Sequence, residues 1–117
     1  MEIKSDAKLL RIFVGDSDKV EGIPIYEFIV LKAKKMGLAG ATVFKGFMGY
    51  GQSSRLHTAK ILRLSEDLPI IIEIVDEKEK IDQFIPVLDE IFEKANCGGL
   101  VTIEKAEVIK YIGKERQ

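Results

Sequence analysis

The sequence predicts an α+β fold, a ferredoxin-like β-α-β-β-α-β sandwich in which a four-stranded antiparallel sheet carries two helices on one face. Segments with strand and helix patterns alternate in this order along the 117 residues. Each strand-helix-strand unit is expected to be right-handed, which puts both helices on the same side of the sheet. The other side would be an apolar surface without cover. Such surfaces usually mark association, so we expect an oligomer.

The first strand and the first helix have distinct patterns. Residues 8–14, KLLRIFV, mix β-branched, aromatic and aliphatic side chains, and the turn residues GDSD follow at 15–18. Residues 25–36 place apolar side chains at helical spacing, with lysines late in the segment and Gly37 after it. Pro24 is expected in the first turn of this helix, where its fixed φ is favourable.

Two further strands flank a stretch rich in glycine. Residues 40–47, GATVFKGF, predict the second strand. Residues 68–75, LPIIIEIV, predict a third, and their nearly continuous apolar run indicates burial on both faces. Residues 59–67, AKILRLSED, are expected to continue a hairpin arm between these strands.

The second helix is the clearest element in the sequence. Asp76 with Glu79 three residues later is typical of a helix N-cap. Pro86 should kink the helix, and the glycines of 96–99, NCGG, suit a left-handed cap at its end. Residues 100–112 supply the final strand, interrupted near 105–107. Apolar residues at helical spacing predict the buried face of the helix: Ile81, Phe84, Ile85, Leu88, Ile91, Phe92 and Ala95.

Composition narrows the class of protein. A chain of 117 residues that is 46% apolar fits one domain, which we assign to residues 1–117. Its 18 basic and 19 acidic side chains nearly cancel, so nucleic acid is not an expected partner. Its longest apolar runs are far below the roughly 20 residues that span a bilayer, so direct membrane insertion is not expected. One cysteine and the lack of an apolar N-terminal core point to the cytoplasm.

The stretch KGFMGYGQSSRLHT at 45–58 is the main candidate for a binding site. Gly46, Gly49 and Gly51 lack a Cβ, so their backbone N–H groups could approach an anion closely. The spacing matches neither the P-loop nor the dinucleotide-binding fingerprint. On motif chemistry alone, a hairpin tip is favoured over a phosphate loop.

Catalytic and metal sites find little support in the sequence. His57 stands near two serines without a third group to orient its ring, so a triad is not expected. One histidine and one cysteine, forty residues apart, give no spacing for a metal site. Arg11 invites comparison with the anion-binding arginine of acylphosphatases, which share this topology, but the anion loop of those enzymes is missing.

Three other positions have two interpretations each. Glu73 interrupts the apolar strand, and a carboxylate there either faces a ligand cleft or forms a structural ion pair. The segment Cys97, Gly98 and Gly99 is a second anion cradle or a helix cap. Lys110 and Tyr111 could supply a phosphate-pairing ammonium and a stacking ring, or they could be ordinary strand residues.

The motifs VFKGFMGYG, HT and LPIIIEIV, in this order, resemble those of the PII signalling proteins. The resemblance covers most of the chain, including the ending GG…VTIEKAEVIKYIGKE. GYG, HTAKILRLSEDLP and IEIVD look closer still to the PII-like family that is often encoded near fluoride channels. Residues 46–58 then correspond to the T-loop, the extended signalling loop of PII proteins.

This resemblance implies a homotrimer with adenine nucleotides in the clefts between subunits. It places Gly46, Phe47 and Gly49 at the T-loop base, Glu73 beside the adenine, and Gly98 on the phosphate side. Four further residues complete the implied nucleotide site. Lys110 matches an arginine that pairs with phosphates, Arg55 could add a second charge, and Gly51 and Gly99 could add backbone amides.

Two departures from the PII pattern bear on the ligand. The lysine that follows the phosphate-side glycines is replaced by Gly99 or Leu100, and the second C-terminal arginine is replaced by Ile112. Because two phosphate-pairing cations are lost, ADP or AMP is favoured over ATP. No metal cofactor is predicted.

The leading hypothesis is a cytoplasmic, nonenzymatic, PII-like regulatory trimer in which nucleotide binding orders the glycine loop. The ordered loop would then contact a protein partner, such as a membrane transporter or channel. One alternative is a structural trimer or a trimer of the divalent-metal-tolerance type. A small acylphosphatase-like hydrolase is the other alternative.

Overall fold

A computed structural model of the chain describes residues 6–51, 57–58 and 67–113. Six elements build the sandwich, and two short hairpins interrupt it. The order of the elements is β1 (Ala7–Gly15), β2 (Lys19–Val20), β3 (Ile23–Pro24), α1 (Ile25–Lys35), β4 (Thr42–Lys45), β5 (Met48–Gly49), β6 (His57–Thr58), β7 (Pro69–Glu77), α2 (Lys78–Ala95) and β8 (Leu100–Ala106).

The four long strands form one antiparallel sheet in the order β4-β7-β1-β8. The two strands that flank the first helix are therefore not hydrogen-bonded to each other, because β7 lies between them. With α1 and α2 following β1 and β7, this order confirms the predicted ferredoxin-like topology. Within the described part of the chain, neither helix has the length and apolarity needed to cross a membrane.

The core lies between the helices and one face of the sheet. Side chains alternate along a strand, so every second residue of β1 and β7 points towards the helices. Each fully buried aliphatic or aromatic side chain contributes about 1.5–3 kcal/mol through removal from water. The buried set combines alternate residues of β1 and β7, one residue of β2 and one stripe of each helix: Leu10, Ile12, Val14, Ile70, Ile72, Ile74, Val20, Ile25, Ile29, Ala33, Ile81, Phe84, Leu88 and Ile91.

The opposite side of the sheet has no helix against it. The prediction that β7 is buried on both faces is wrong for the single chain, since burial alternates strictly along this strand. The residues between the buried positions remain partly exposed because both helices cover the same face. We call this side the uncovered face; by alternation and register it comprises Leu9, Arg11, Phe13, Thr42, Phe44, Ile71, Glu73, Val75, Leu100, Thr102 and Glu104.

The spacing of Asp76 and Glu79 predicted that Asp76 caps α2, but it does not. The N-cap residue is Glu77, which makes no side-chain capping bond. Asp76 is the last inward-facing residue of β7 and is only 1% exposed. Its carboxylate accepts hydrogen bonds from the backbone N–H groups of Ala39, at 2.8 Å, and Glu77, at 2.7 Å. It therefore ties the connection after α1 to the end of β7.

The end of α2 also differs from the prediction. The left-handed residue is Asn96, with φ 52° and ψ 47°, rather than one of the glycines that follow. Asparagine tolerates this conformation because its short side chain bonds locally. Gly99 is required for another reason, since a Cβ there would overlap the Phe92 ring and lie 3.0 Å from the carbonyl oxygen of Phe13. The helix continues through Pro86.

A two-residue hairpin before α1 was not predicted. Lys19–Val20 pairs with Ile23–Pro24, and the residues between them, Glu21 and Gly22, both have positive φ. Two consecutive positive φ angles are typical of a type I′ turn, in which glycine is favoured at the second position. Pro24 consequently stands before the first helical turn, as the N-cap residue, and not inside it.

The second predicted strand is shorter than residues 40–47. The ladder of β4 with β7 stops at Lys45, opposite Ile70, because the next residue of β7 is Pro69, which has no N–H to donate. A separate small ladder then joins Met48 to Thr58. The hairpin arm predicted for 59–67 lies outside the described residues except for Asp67.

Candidate functional site

An open cleft of about 430 Å³ lies at the β4 edge of the sheet. It is formed by the connection from α1 into β4, by outward residues of β7 and by the segment that follows β8. Two of the residues singled out in the sequence, Glu73 and Lys110, meet in it. The described residues that line it are Ala39, Gly40, Ala41, Thr42, Glu73, Val75, Val108, Lys110 and Tyr111.

Strand register determines the floor of the cleft. Thr42 is the first residue of β4 and lies directly opposite Glu73 of β7. Val75 is two residues further along β7 and therefore shares the face of Glu73. A hydroxyl, a carboxylate and an apolar side chain are thus grouped on the uncovered face.

The backbone of Ala39 joins two walls of the cleft. Its N–H donates to the buried Asp76 carboxylate, and its carbonyl oxygen accepts a 2.7 Å hydrogen bond from the hydroxyl of Tyr111. The first bond fixes the connection after α1, and the second holds the chain after β8 against it. Lys110 is carried to the cleft by this second contact.

Glu73 combines the two interpretations that the sequence left open. It lines the cleft, and its Oε2 also accepts a 2.8 Å hydrogen bond from Nε of Arg11. The guanidinium reaches Glu104 on its other side, where Nη1 lies 2.9 Å from Oε1. The hydrogen bond to Glu73 is the largest cause that raises the pKa of Arg11, and the charge of Glu104 adds to it.

The same ion pairs argue against the acylphosphatase-like hypothesis. In that hypothesis Arg11 would bind the anionic group of the substrate. Two carboxylates already neutralise its guanidinium, so a phosphate would have to displace one of them. The arrangement instead makes Arg11 a partner of Glu73.

Lys110 is the cation of the cleft. Its side chain forms no ion pair or hydrogen bond with any described residue. An ammonium without a protein partner, beside a cleft, is available to an anionic group of a ligand. The cleft therefore presents a carboxylate and an ammonium to a bound molecule.

The loop glycines lie along the same edge, beyond the cleft. The N–H of Gly46 donates to the carbonyl oxygen of Pro69 at 2.7 Å. A Cβ on Gly46 would lie 2.7 Å from Cγ of Pro69, and one on Gly49 would lie 3.0 Å from it. Gly46 therefore needs glycine for close approach of the chain to Pro69, and a larger residue at Gly49 would require a small shift of the Pro69 ring. Phe47, between them, is 71% exposed.

One chain does not assemble all the predicted residues. Pro69, beside the loop glycines, is four residues from Glu73 along β7, which corresponds to roughly 13 Å. Gly98 and Gly99 precede β8, on the opposite edge from β4; three strand spacings correspond to roughly 14 Å. Gly51 is two residues beyond the end of β5, and Arg55 lies outside the described residues.

Sequence reasoning missed part of the cleft. Thr42, Val75 and Val108 were not singled out as site residues, and Tyr111 was considered only as a stacking ring or an ordinary strand residue. The pairing of Thr42 with Glu73 depends on the register of β4 and β7, which the spacing of either strand alone does not specify. For Tyr111, the only signal was the aromatic ring itself.

Nucleophilic and metal chemistry gain no support. In residues 6–51, 57–58 and 67–113, no three His, Cys, Asp or Glu residues are grouped to hold a metal ion. Burial raises the pKa of the Cys97 thiol, and the charge of Asp18 raises it further. A thiol with a raised pKa is a weak nucleophile at neutral pH because little of it is thiolate.

Comparison with known proteins gives a family and a fold. The profile of DUF190 (Uncharacterized ACR, COG1993) matches residues 7–108. A UPF0166 protein from Aquifex aeolicus is 45% identical over 102 residues, which cover 87% of this chain and 92% of that protein. The match therefore includes every element of the sandwich.

Solved structures share the same architecture. CPII, a nitrogen regulatory PII-like protein from Thiomonas intermedia K12 bound to ADP, AMP and bicarbonate, matches with a TM-score of 0.68 and 21% identity, over 93% of this chain and 94% of CPII. A putative PII-like signaling protein from Thermus thermophilus matches with a TM-score of 0.65 and 17% identity, over 93% and 94% of the two chains. At such identities the likeness shows the fold alone.

A more distant match is an enzyme. A phage SAM lyase in complex with S-methyl-5'-thioadenosine has a TM-score of 0.51 and 21% identity, over 90% of this chain and 85% of the lyase. The fold by itself therefore does not decide between regulation and catalysis.

Proposed function

This chain belongs to the DUF190 family, and on that basis we propose that it is a PII-like regulatory protein that binds an adenine nucleotide between the copies of a homotrimer. The observation that carries the proposal is the cleft in which Glu73 and Lys110 meet on the uncovered face. These two residues match PII positions beside the adenine and the phosphates. Their meeting in one cleft supports the residue assignments that the resemblance implies.

The distances within one chain favour a site shared by two copies. Glu73 and Lys110 form one group, at the cleft, and the loop glycines Gly46 and Gly49 form another, beyond it. Packing of uncovered faces around a threefold axis would bring the cleft of one copy towards the loop of the next. The apolar side chains of that face, such as Phe13, Phe44 and Ile71, support such packing.

The charges of the cleft suit a nucleotide with few phosphates. Within the part of the chain that the structure describes, Lys110 is the one cation in the lining. The N–H of Gly46 already donates to Pro69, so backbone donors from a neighbouring copy would come from the loop after Gly46 and from the segment near Gly98, with Arg55 as a further cation. ADP or AMP therefore fits better than ATP, and CPII, which shares the fold, was solved with both.

The proposed output is order in the glycine loop. Nucleotide contacts at Gly46 and Gly49 would select one conformation of residues 46–58, and a protein partner would bind that conformation. A membrane transporter or channel is the proposed partner, in keeping with the resemblance to PII-like proteins encoded near fluoride channels. The protein would act in the cytoplasm and without enzymatic turnover.

Isothermal titration tests this function. The purified protein, at a fixed concentration well above micromolar, is titrated in turn with ADP, AMP and ATP. We expect saturable binding near one nucleotide per chain, with ADP or AMP tighter than ATP because Lys110 stands without the second phosphate-pairing cation. Sedimentation in the same buffer should give a mass three times that of the 13.1 kDa chain.

Two results would contradict the proposal. One is a lack of heat with all three nucleotides. The other is a monomer that binds nucleotide at full stoichiometry, because the site would then need no second copy. Chromatographic detection of products after long incubation with ADP checks the nonenzymatic part, since turnover would place the protein with the enzymes of this fold.

A further inference from the structure

The ion pair between Arg11 and Glu73 uses only one oxygen of the carboxylate. Nε of Arg11 donates to Oε2 at 2.8 Å, and no described residue donates to Oε1. The two residues face each other across β1 and β7. The Glu73 side chain is 30% exposed, and it lines the cleft. Glu73 therefore keeps one carboxylate oxygen without a donor among the described residues, in a side chain that lines the cleft.

Arg11 is itself held from the far side. Its Nη1 donates to Oε1 of Glu104, so the guanidinium bridges a carboxylate of β7 and a carboxylate of β8. A guanidinium with two carboxylate partners loses most of its freedom to swing, because its planar fork must satisfy both. Glu73 is thus fixed by a partner that is fixed in turn.

We propose that Arg11 is a positioning residue, which orients the free oxygen of Glu73 to accept a hydrogen bond from the amino group of a 6-aminopurine and so excludes 6-oxopurines. This inference rests on the proposed function, because it needs a purine base beside Glu73. It adds a residue outside the cleft lining and a reason for base selection.

The selection follows from donors and acceptors. The exocyclic group of adenine is an N–H donor and pairs with a carboxylate oxygen. The 6-oxo group of hypoxanthine is an acceptor, and its approach to the same oxygen leaves both without a partner. Hydrogen bonds to charged groups are stronger than hydrogen bonds between neutral groups. Loss of one such bond should give roughly a 10- to 100-fold preference for ADP over inosine diphosphate.

The orientation of Glu73 requires Arg11. Without the guanidinium, the carboxylate can rotate away from the base or bind water through both oxygens. The affinity gained from the hydrogen bond to the amino group then falls, because the Glu73 side chain must be ordered when the nucleotide binds. Phosphate contacts near Lys110 are unaffected, so affinity for the two nucleotides should converge instead of disappearing.

The test compares ADP with inosine diphosphate by titration calorimetry. In the unchanged protein we expect the Kd for inosine diphosphate to be roughly 10 or more times the Kd for ADP. In Arg11→Met the ratio should fall to within about threefold of unity, mainly through weaker ADP binding. Arg11→Lys, which keeps the positive charge but loses the planar fork, should give an intermediate ratio.

Lys35→Met is the matched control. It removes one positive charge, as Arg11→Met does, from an exposed residue in the last turn of α1 that does not line the cleft. The base preference should stay within about twofold of the unchanged protein, because the contacts of Arg11 with Glu73 and Glu104 are preserved. Sedimentation and circular dichroism of each variant report assembly and fold.

The outcomes separate the two proposals. If the unchanged protein fails to bind ADP, the proposed function falls and this inference falls with it. If it binds ADP with a clear base preference, and Arg11→Met keeps that preference, the role of Arg11 is overturned while the function stands. Should Arg11→Met not fold, Arg11→Lys decides, and an unchanged ratio in that variant overturns the inference.

Discussion

Phe84→Ala is expected to lower the free energy of unfolding by about 3–5 kcal/mol, because it removes the largest fully buried side chain and leaves a cavity. Phe84 lies in α2 and is 0% exposed, packed in the cluster between the helices and the sheet. A loss of this size is a large part of the about 5–15 kcal/mol that a typical domain has. Urea unfolding at one protein concentration measures it, since assembly makes stability concentration-dependent.

Phe47→Ala is the matched control for this prediction. The same side chain is deleted, but Phe47 lies at the loop base and is largely exposed. We expect a change within about 0.5 kcal/mol. If the two variants unfolded at the same urea concentration, the packing of α2 described above would be wrong.

Lys110→Glu should have the largest effect on ligand binding. Lys110 has no partner in the described residues, so a bound phosphate would be its main contact. Reversal of its charge removes a charge-assisted hydrogen bond and adds repulsion. The Kd for ADP should rise by roughly 10- to 100-fold, as measured by calorimetry.

Lys32→Glu controls for net charge. Lys32 lies in the last turn of α1, on the helix side of the sheet, and does not line the cleft. The variant changes the charge of the chain by the same amount as Lys110→Glu. Its Kd for ADP should stay within about twofold of the unchanged protein, because a charge that does not contact the ligand is screened by solvent and salt. Equal losses in both variants would assign the effect to overall charge and not to the cleft.

The elements of the fold were predictable because each has its own period. Ile81, Phe84 and Leu88 recur at helical spacing, and all three are buried. Register is less accessible. The pairing of Thr42 with Glu73 places two polar groups at one point of the cleft, yet it depends on how β4 meets β7. No local pattern in either strand contains that information.

Asp76 shows how a local signature can be satisfied by a different contact. The spacing of Asp76 and Glu79 is typical of a helix N-cap, whose carboxylate would accept hydrogen bonds from the backbone N–H groups of the first helical turn. The groups it binds belong to Ala39 and Glu77. Ala39 is distant in sequence, so tertiary structure replaced the cap with a tie between two elements.

The candidate site was predicted in pieces. Glu73 and Lys110 were singled out separately, and the structure brings them to one cleft. The contact of Glu73 with Arg11 was not predicted, because Arg11 was considered only as an anion-binding residue. Their pairing follows from the neighbouring positions of β1 and β7, which the order of strands in the sheet creates.

A crystal structure of the protein grown with ADP tests nucleotide binding at this cleft most directly. We predict ADP between two copies, with its base beside Glu73 and Thr42 and its phosphates between Lys110 of the same copy and the loop glycines of the next. ADP bound elsewhere, or a cleft without ADP at a saturating concentration, would contradict the proposed function.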